Sequence, residues 1–319
     1  MKMSYAFRIV GMKDGKRRFI DAAAALSAYA SCHPSCEPQA ESYLSSFMFG
    51  DDFREYLSVN GTTRGFTGLC WSPIFWFDLD RADLAIALAD ARKLVDQLRE
   101  LGGQEIVLFF SGKRGFHVGL PIDETPSHEF HSTVKTVAND IASQAGVIID
   151  PAIYSKVQPF RAPNSRHPAT GLYKSWIAVD RLAMLTTDEI LSQAKQPIPF
   201  DWRPAPKPTP PEIRKLWDEA TQKNLTTVIG SRVDAPLSGV QAVSQSPTLN
   251  RRTLEFFRHG ANEGERAKRL FSSAANLSEF GCPQELAHAL LTEPALDSGL
   301  SPSETRRQID CGLNGGSHD

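Results

Sequence analysis

The sequence predicts an α/β (α+β) protein, a sheet-containing domain followed by a small all-helical one. Three observations predict it. Strand-like apolar runs alternate with helix-period segments over residues 1–200, the pattern of a sheet covered by helices. A proline-dense stretch at 197–211, PIPFDWRPAPKPTPP, then breaks that pattern as an extended, semi-rigid linker would. Beyond residue 250 only helical spacing remains. A chain of 319 residues has room for about two domains.

Residues 4–10 (SYAFRIV) and 17–20 (RRFI) read as strands joined by the turn MKDGK, whose Asp-Gly is a hairpin cue. Residues 20–31 read as a helix. The segment GTTRGFTGLCWSP uses its glycines for turns and leads into a strand, IFWFDLD at 74–80. Residues 82–101 carry Leu84, Leu88, Ala91, Val95 and Leu98 at helical spacing, and Gly102–Gly103 stops that helix. A strand at 105–110, a basic turn and a strand at 116–120 follow. Residues 126–145 read as a helix and 147–150 (VIID) as a further short strand. Thr187 is placed as the N-cap of a helix over 186–195. A short helix is expected at 212–224, and a mobile Ser/Gly/Pro-rich stretch at 230–248. Residues 250–260 and 263–313 read as helical, with Leu254, Phe257, Leu270, Phe271, Leu277, Leu286, Leu290 and Leu291 as apolar faces. The expected division is a domain at 1–200, a linker at 201–249 and a helical domain at 250–319.

Composition narrows the function classes. Hydrophobic residues at 41% and charged residues at 23% are ordinary for a globular protein. The net charge of −2 means that any nucleic-acid site is a local patch, not a property of the whole chain. No apolar run approaches the roughly 20 residues that span a bilayer. The N-terminal segment lacks the order of a signal peptide. Five cysteines, an odd number, fit a reducing cytoplasm, and no membrane partner is expected.

The residues that carry chemistry fall in three blocks. Asp78 and Asp80, two apart on one strand, project from the same face roughly 6–7 Å apart. Two such carboxylates suit Mg²⁺ or Mn²⁺, which take oxygen ligands, although a bare Asp-x-Asp is common by chance. Next comes SGKRGFH at 111–117. Gly112 and Gly115 let a backbone approach an anion closely, and their neighbourhood offers amide groups for a phosphate nest. Lys113 and Arg114 add charge, and His117 alternates with Phe116 and Val118 so as to share the carboxylates' face. The third block, IDPAIYSKVQPFRAPNSRHPATG at 149–171, opens on Asp150, the candidate third carboxylate. It continues with Lys156, Arg161, Arg166 and His167 as cations spaced along an extended segment.

Together the three blocks resemble the archaeo-eukaryotic primase superfamily. IFWFDLD is similar to its acidic motif, and SGKRGFH to the Ser-Gly-basic-Arg-Gly-x-His pattern of primase small subunits. VIID resembles the late motif that ends in aspartate, and RAPNSRHPATG the basic-x-Pro…His-Pro-x-Thr-Gly stretch. GFTGLCW at 65–71 is similar to the run-in to the acidic motif. The resemblance spans roughly residues 1–200. It implies a catalytic core with an RRM-like mixed sheet, and two divalent metals, Mg²⁺ or Mn²⁺, on Asp78, Asp80 and Asp150. Ser111, Lys113, Arg114 and His117 would hold the incoming nucleotide, with phosphate contacts from Arg161 and His167 and also Lys156 and Arg166. The implied activity is a primase or primase-polymerase of a plasmid, phage or similar element. It would make short primers on a single-stranded DNA template from NTP or dNTP.

The C-terminal segment resembles the helical primase C-terminal (PriCT) domain of mobile-element primases. Arg251, Arg252, Arg258, Arg266, Lys268 and Arg269 would then reach template phosphates, or else line a solvated helix face. CHPSC at 32–36 offers two or three metal ligands but no second pair, so zinc is not expected. Cys70, Cys282 and Cys311 read as packing residues. No G-x-x-x-x-G-K-[ST] loop is present, so unwinding would need a separate helicase. Two other functions fit the same motifs. One is a gap-filling end-joining polymerase of the same superfamily, and the other a non-catalytic replication-initiator or origin-binding protein.

Overall fold

The computed structural model describes residues 3–10, 17–201, 205–233 and 249–315. The expected hairpin turn at 12–16 and most of the expected mobile stretch, 234–248, lie outside the described residues. The chain divides into a larger unit reaching Thr221 and a smaller one from Gln222 onward.

The larger unit is built on two sheets of four strands each. In the first, β1 (Tyr5–Val10) lies between β2 (Arg18–Asp21) and β3 (Ser42–Ser45), and β3 pairs in turn with β7 (Pro159–Arg161). The second sheet has the order β4 (Ile74–Asp80), β6 (Gly115–Pro121), β5 (Val107–Phe110), β8 (Ser175–Ile177). Every pairing in both is antiparallel. The α/β class expected from the sequence is therefore present, but as two antiparallel sheets rather than one mixed sheet. The helices of this unit are α1 (Ala22–Ala30), α2 (Asp51–Asn60), α3 (Leu84–Glu100), α4 (Phe130–Ala145) and α5 (Thr187–Gln193).

Period-2 alternation gives the second sheet two unlike faces. Phe75, Phe77 and Leu79 of β4, with Phe116, Val118 and Leu120 of β6, share a core with Leu88, Val95 and Leu98 of α3 and Val134, Val137 and Ile141 of α4. The opposite face carries Trp76, Asp78 and Asp80 on β4. It faces the first sheet: the Phe160 ring of β7 packs on the Trp76 ring at 5.5 Å between centroids. A pocket between the sheets is lined by Leu26, Leu44, Trp76, Phe160, Arg161 and Lys174.

Several local expectations shift. Residues 147–150 form no strand. Gly146 ends α4 at φ 63°, and Asp150 caps a 3-10 turn at Pro151–Tyr154, where proline removes the amide that a ladder would need. The N-cap of α5 is Thr186, not Thr187: its side chain accepts from the Glu189 amide, and Glu189 reaches back to the Thr186 amide. That reciprocal box needs an acid three residues on, and Thr187 has Ile190 there. The stretch expected to be a linker with a short helix contains α6, Pro211–Val233, and the division between the units falls inside it. Cys70 is buried as expected, but Cys282 is half-buried and Cys311 exposed.

Beyond the end of α6, the described residues of the smaller unit carry α7 (Arg251–His259), α8 (Arg266–Ser278), α9 (Gln284–Asp297) and α10 (Pro302–Gly315). Phe256, Leu270, Leu277, Leu291, Leu300 and Ile309 form its own core. Among the described residues, no helix is long and apolar enough to cross a membrane.

Candidate active site

The β4–β6 register sets Asp78 opposite His117 and Asp80 opposite Gly115. His117 Nε2 lies 3.6 Å from Asp78 Oδ1, and both side chains are buried. The Phe160 ring stacks on the His117 ring at 4.3 Å, so β7 of one sheet clamps the imidazole of the other. Asp80 sits nearer solvent and takes the Arg114 Nε–H at 3.2 Å. Asp150 joins from the third block: its backbone amide donates to the Asp78 carbonyl at 2.8 Å. Its carboxylate caps the 3-10 turn through the Ala152 amide at 3.0 Å. The Tyr154 hydroxyl, buried and donating to the Trp76 carbonyl at 2.9 Å, has its pKa pushed well up by burial and by the Asp78 and Asp150 charges. A backbone bond spanning 72 positions of sequence thus brings Asp150 beside Asp78, on the strand that also carries Asp80.

The turn at 111–115 is closed by its own groups. The Ser111 amide donates to the Gly115 carbonyl at 2.9 Å, and the Gly115 amide to Ser111 Oγ at 3.1 Å. The Gly115 amide is therefore spent on the turn and is no nest donor. Glycine is required there because a Cβ would stand 2.4 Å from the Leu79 carbonyl oxygen of β4. Gly112 takes φ 93°, and its carbonyl accepts from Thr170 Oγ1, which ties the basic turn to the HPATG loop. Lys113 is exposed and Arg114 half-buried.

The third block's basic residues have separate fates. Arg161 lies over the Tyr43 ring at 4.9 Å and donates to the Tyr43 hydroxyl at 2.8 Å, with Glu41 behind. His167 is not the cation that its spacing predicts. Burial first, then the Arg161 and Lys113 charges, push its pKa down to about 3, and the neutral ring takes the Ala169 amide on Nδ1 at 3.1 Å. Its other nitrogen is then an N–H donor. Arg166 is exposed and donates to the Gly171 carbonyl at 3.2 Å. Lys156 donates to the Gly68 carbonyl at 2.9 Å, which braces the 67–68 loop.

Sequence reasoning missed Lys174. Its side chain is 1% exposed, and Nζ donates to the Arg161 carbonyl at 2.8 Å. Nζ stands 4.2 Å from the Phe160 ring centroid, 5.0 Å from Phe109 and 5.6 Å from Trp76. Burial pulls its pKa well down, the Asp78 charge opposes that fall, and Arg161 adds to it. The available signal was a single cation inside the otherwise apolar run LYKSWI. Phe160 was missed too, since nothing in PFR marks its ring as a lid on His117.

In donor type the carboxylates fit a hard divalent cation: all are oxygen ligands, and Asp78 is buried beside Asp150. Asp78 stands beside the His117 ring, and Asp80 pairs with the Arg114 guanidinium. Among the described residues no group of three or more His, Cys, Asp or Glu side chains is placed so as to hold a metal ion, either here or around Cys32 and Cys36.

No family model matches the chain, and no curated protein does. Among solved structures it is similar to the polymerase domain of ligase D from Mycobacterium tuberculosis in complex with DNA, at 22% identity and TM-score 0.34 over 48% of this chain. The chain spans 58% of the length of that domain. It is also similar to primase RepB', at 12% identity and TM-score 0.37, over 98% of this chain and 90% of that one. The catalytic domain of primase RepB' in complex with initiator DNA matches at 10% identity and TM-score 0.40, over 73% of this chain and 92% of that one. These are proteins of the kind the three motifs resemble, and at this distance the likeness carries no functional argument of its own.

Proposed function

We propose that the protein is a primase or primase-polymerase of the archaeo-eukaryotic kind, making short primers on single-stranded DNA from nucleoside triphosphates for a plasmid, phage or similar element. One observation carries this reading. Asp78 faces His117 in register, Asp80 abuts the basic turn, and the Asp150 amide is bonded to the Asp78 carbonyl. Acidic and phosphate-type residues from three separate segments meet at one sheet end.

Asp78, Asp80 and Asp150 would hold the Mg²⁺ or Mn²⁺ ions, which when bound lower the pKa of the attacking hydroxyl and neutralise charge on the leaving pyrophosphate. Lys113 and Arg114 draw the triphosphate to the mouth of the site, and Arg114 exchanges its ion pair with Asp80 for phosphate oxygens. His167, neutral, offers an N–H to the same oxygens. His117, held flat under Phe160, fixes Asp78. Most of the rate gain comes from positioning and charge neutralisation.

The test is incorporation of labelled ATP and of dATP on unprimed circular single-stranded DNA, with Mg²⁺ and with Mn²⁺. We expect product with one or both nucleotides, and a loss of at least about 100-fold in Asp78→Ala and Asp80→Ala. Full activity in both variants overturns the mechanism. Extension of an annealed primer without unprimed synthesis would make this a gap-filling polymerase. Binding without any incorporation would make it an initiator protein.

A further inference from the structure

The carboxylate face of the second sheet does not end at His117. The register runs Asp78 to His117 across β4 and β6, His117 to Phe109 across β6 and β5, and Phe109 to Trp176 across β5 and β8. Four residues on four strands form one row, roughly 14 Å long at strand spacing. Its inner end is acidic and buried. Its outer end is an indole, 41% exposed, on an edge strand.

That indole is held in place rather than loose. The Phe200 ring lies parallel to it, tilted by 10° with centroids 6.3 Å apart, and packs edge-on to Phe109 at 5.4 Å. Phe109 in turn touches Trp76 at 6.2 Å. Phe200 is anchored by its amide, which donates to the Ala30 carbonyl at 3.0 Å. The outer aromatic pair is thus the exposed end of a continuous ring assembly that starts beside Asp78. Cations flank it. Arg166 is exposed and bridges to Tyr173, at the entry to β8. Lys195 is exposed and follows Ala194, whose carbonyl accepts from the Tyr173 amide. An oriented aromatic face with cations along its border is what a single strand of nucleic acid requires: bases stack on the ring and phosphates track the charges.

We propose that Trp176, backed by Phe200, is a stacking platform for a base of single-stranded DNA, holding the strand at the outer edge of the sheet that carries Asp78. The role as a template platform rests on the proposed nucleotidyl-transfer reading, whereas the stacking itself does not. The indole face takes any base, so the platform grips without reading sequence. Arg166 and Lys195 hold the adjoining phosphates.

The experiment uses the full chain and a fluorescent 12-nucleotide oligothymidylate at low salt, without metal or triphosphate. Trp176→Ala weakens binding about ten-fold, within the range for loss of one stacked base. Trp176→Phe keeps most of the affinity. An oligonucleotide with abasic positions weakens binding of the natural protein by a similar factor and costs Trp176→Ala little more. Unchanged affinity in Trp176→Ala overturns the proposal, as does an equal loss for intact and abasic strands. The natural protein's response to abasic positions decides even if the alanine variant does not fold. Loss of self-association in sedimentation with unchanged DNA affinity would assign the patch to a second copy of the chain and also overturn it. The two readings fail separately. A chain that grips the strand through Trp176 but incorporates nothing loses only the transfer reading, while one that incorporates normally with Trp176→Ala affinity intact loses only the platform.

Discussion

Arg161 and Lys174 are held by tertiary structure, whereas Arg251, Arg269 and Arg307 are held by their own helices. Arg161 reaches Tyr43, 118 positions away. Arg251 pairs with Glu255 and Arg269 with Glu265 at four-residue spacing, and Arg307 with Glu304 at three. Burial follows the same division: Lys174 is 1% exposed and the Arg251 side chain 91%. A helix face supplies its ion pairs locally and in water, where they add little. A buried ammonium survives only if the fold provides its partners. The difference teaches where charge has been placed and where it has merely been solvated.

Lys174 gives the largest expected effect. If it is the internal counter-charge of Asp78, Lys174→Met removes a cation at nearly constant volume and leaves the carboxylate uncompensated, a loss of about 3–5 kcal/mol. If the aromatic rings and the Arg161 carbonyl alone carry it, the same change is neutral or stabilising. We expect the loss. Urea unfolding measures it, and the pair Asp78→Asn with Lys174→Met should recover much of the stability. A double variant no more stable than the single one would break the comparison, because Lys174 would then be held by packing alone.

The contrast also marks what could be read from the sequence. Asp78, Asp80 and His117 were legible because strand periodicity fixes faces, and the observed register sets Asp78 against His117. Asp150 was legible as the carboxylate ending an apolar run, but the strand expected around it is absent, and its place beside Asp78 comes from one long-range backbone bond. Phe160, Tyr43 and Lys174 gave little signal. Each acts through a partner in the other sheet or on another strand, and pairing of β3 with β7 is not written in any local pattern. Helix ends were legible to within a residue where a reciprocal cap exists, and Thr186 shows that the position of the acid decides which threonine caps.

The next effect is in pH. His131 is half-buried beside Cys70, 4.0 Å from its Sγ, and desolvation together with Lys156 pushes its pKa down to about 4. His167 falls to about 3. Both folded values lie below the unfolded value near 6.5, so the unfolded chain binds more protons on acidification. The stability these rings allow is complete above about pH 6.5 and falls as the pH drops toward 4 for His131 and toward 3 for His167. Nuclear magnetic resonance of the imidazole protons should show no titration of either ring between pH 8 and pH 5. His131→Gln and His167→Gln should each flatten the acid limb of a stability–pH curve. A ring that titrates near pH 6.5 is not buried as described, and the site's neutral donor at His167 would be lost with it.

The smallest effect is expected on the helical unit. On α7, Arg251, Glu255 and Arg258 share a face at positions i, i+4 and i+7, so an acid lies between two cations. Arg266 pairs with Glu263, and its guanidinium also donates to the Ser298 carbonyl at 3.0 Å. Arg251, Arg266 and Arg269 each have an acidic partner on or next to their own helix in the free protein. Arg251→Ala and Arg269→Ala should each change stability by about half a kcal/mol or less. They should also leave the salt dependence of single-stranded DNA binding unaltered. A slope of log affinity against log salt that falls by about 0.7 for each arginine removed would mean that each one meets a phosphate. The helical unit would then share the strand with the sheet edge, and charge solvated in the free protein would become charge placed in the complex.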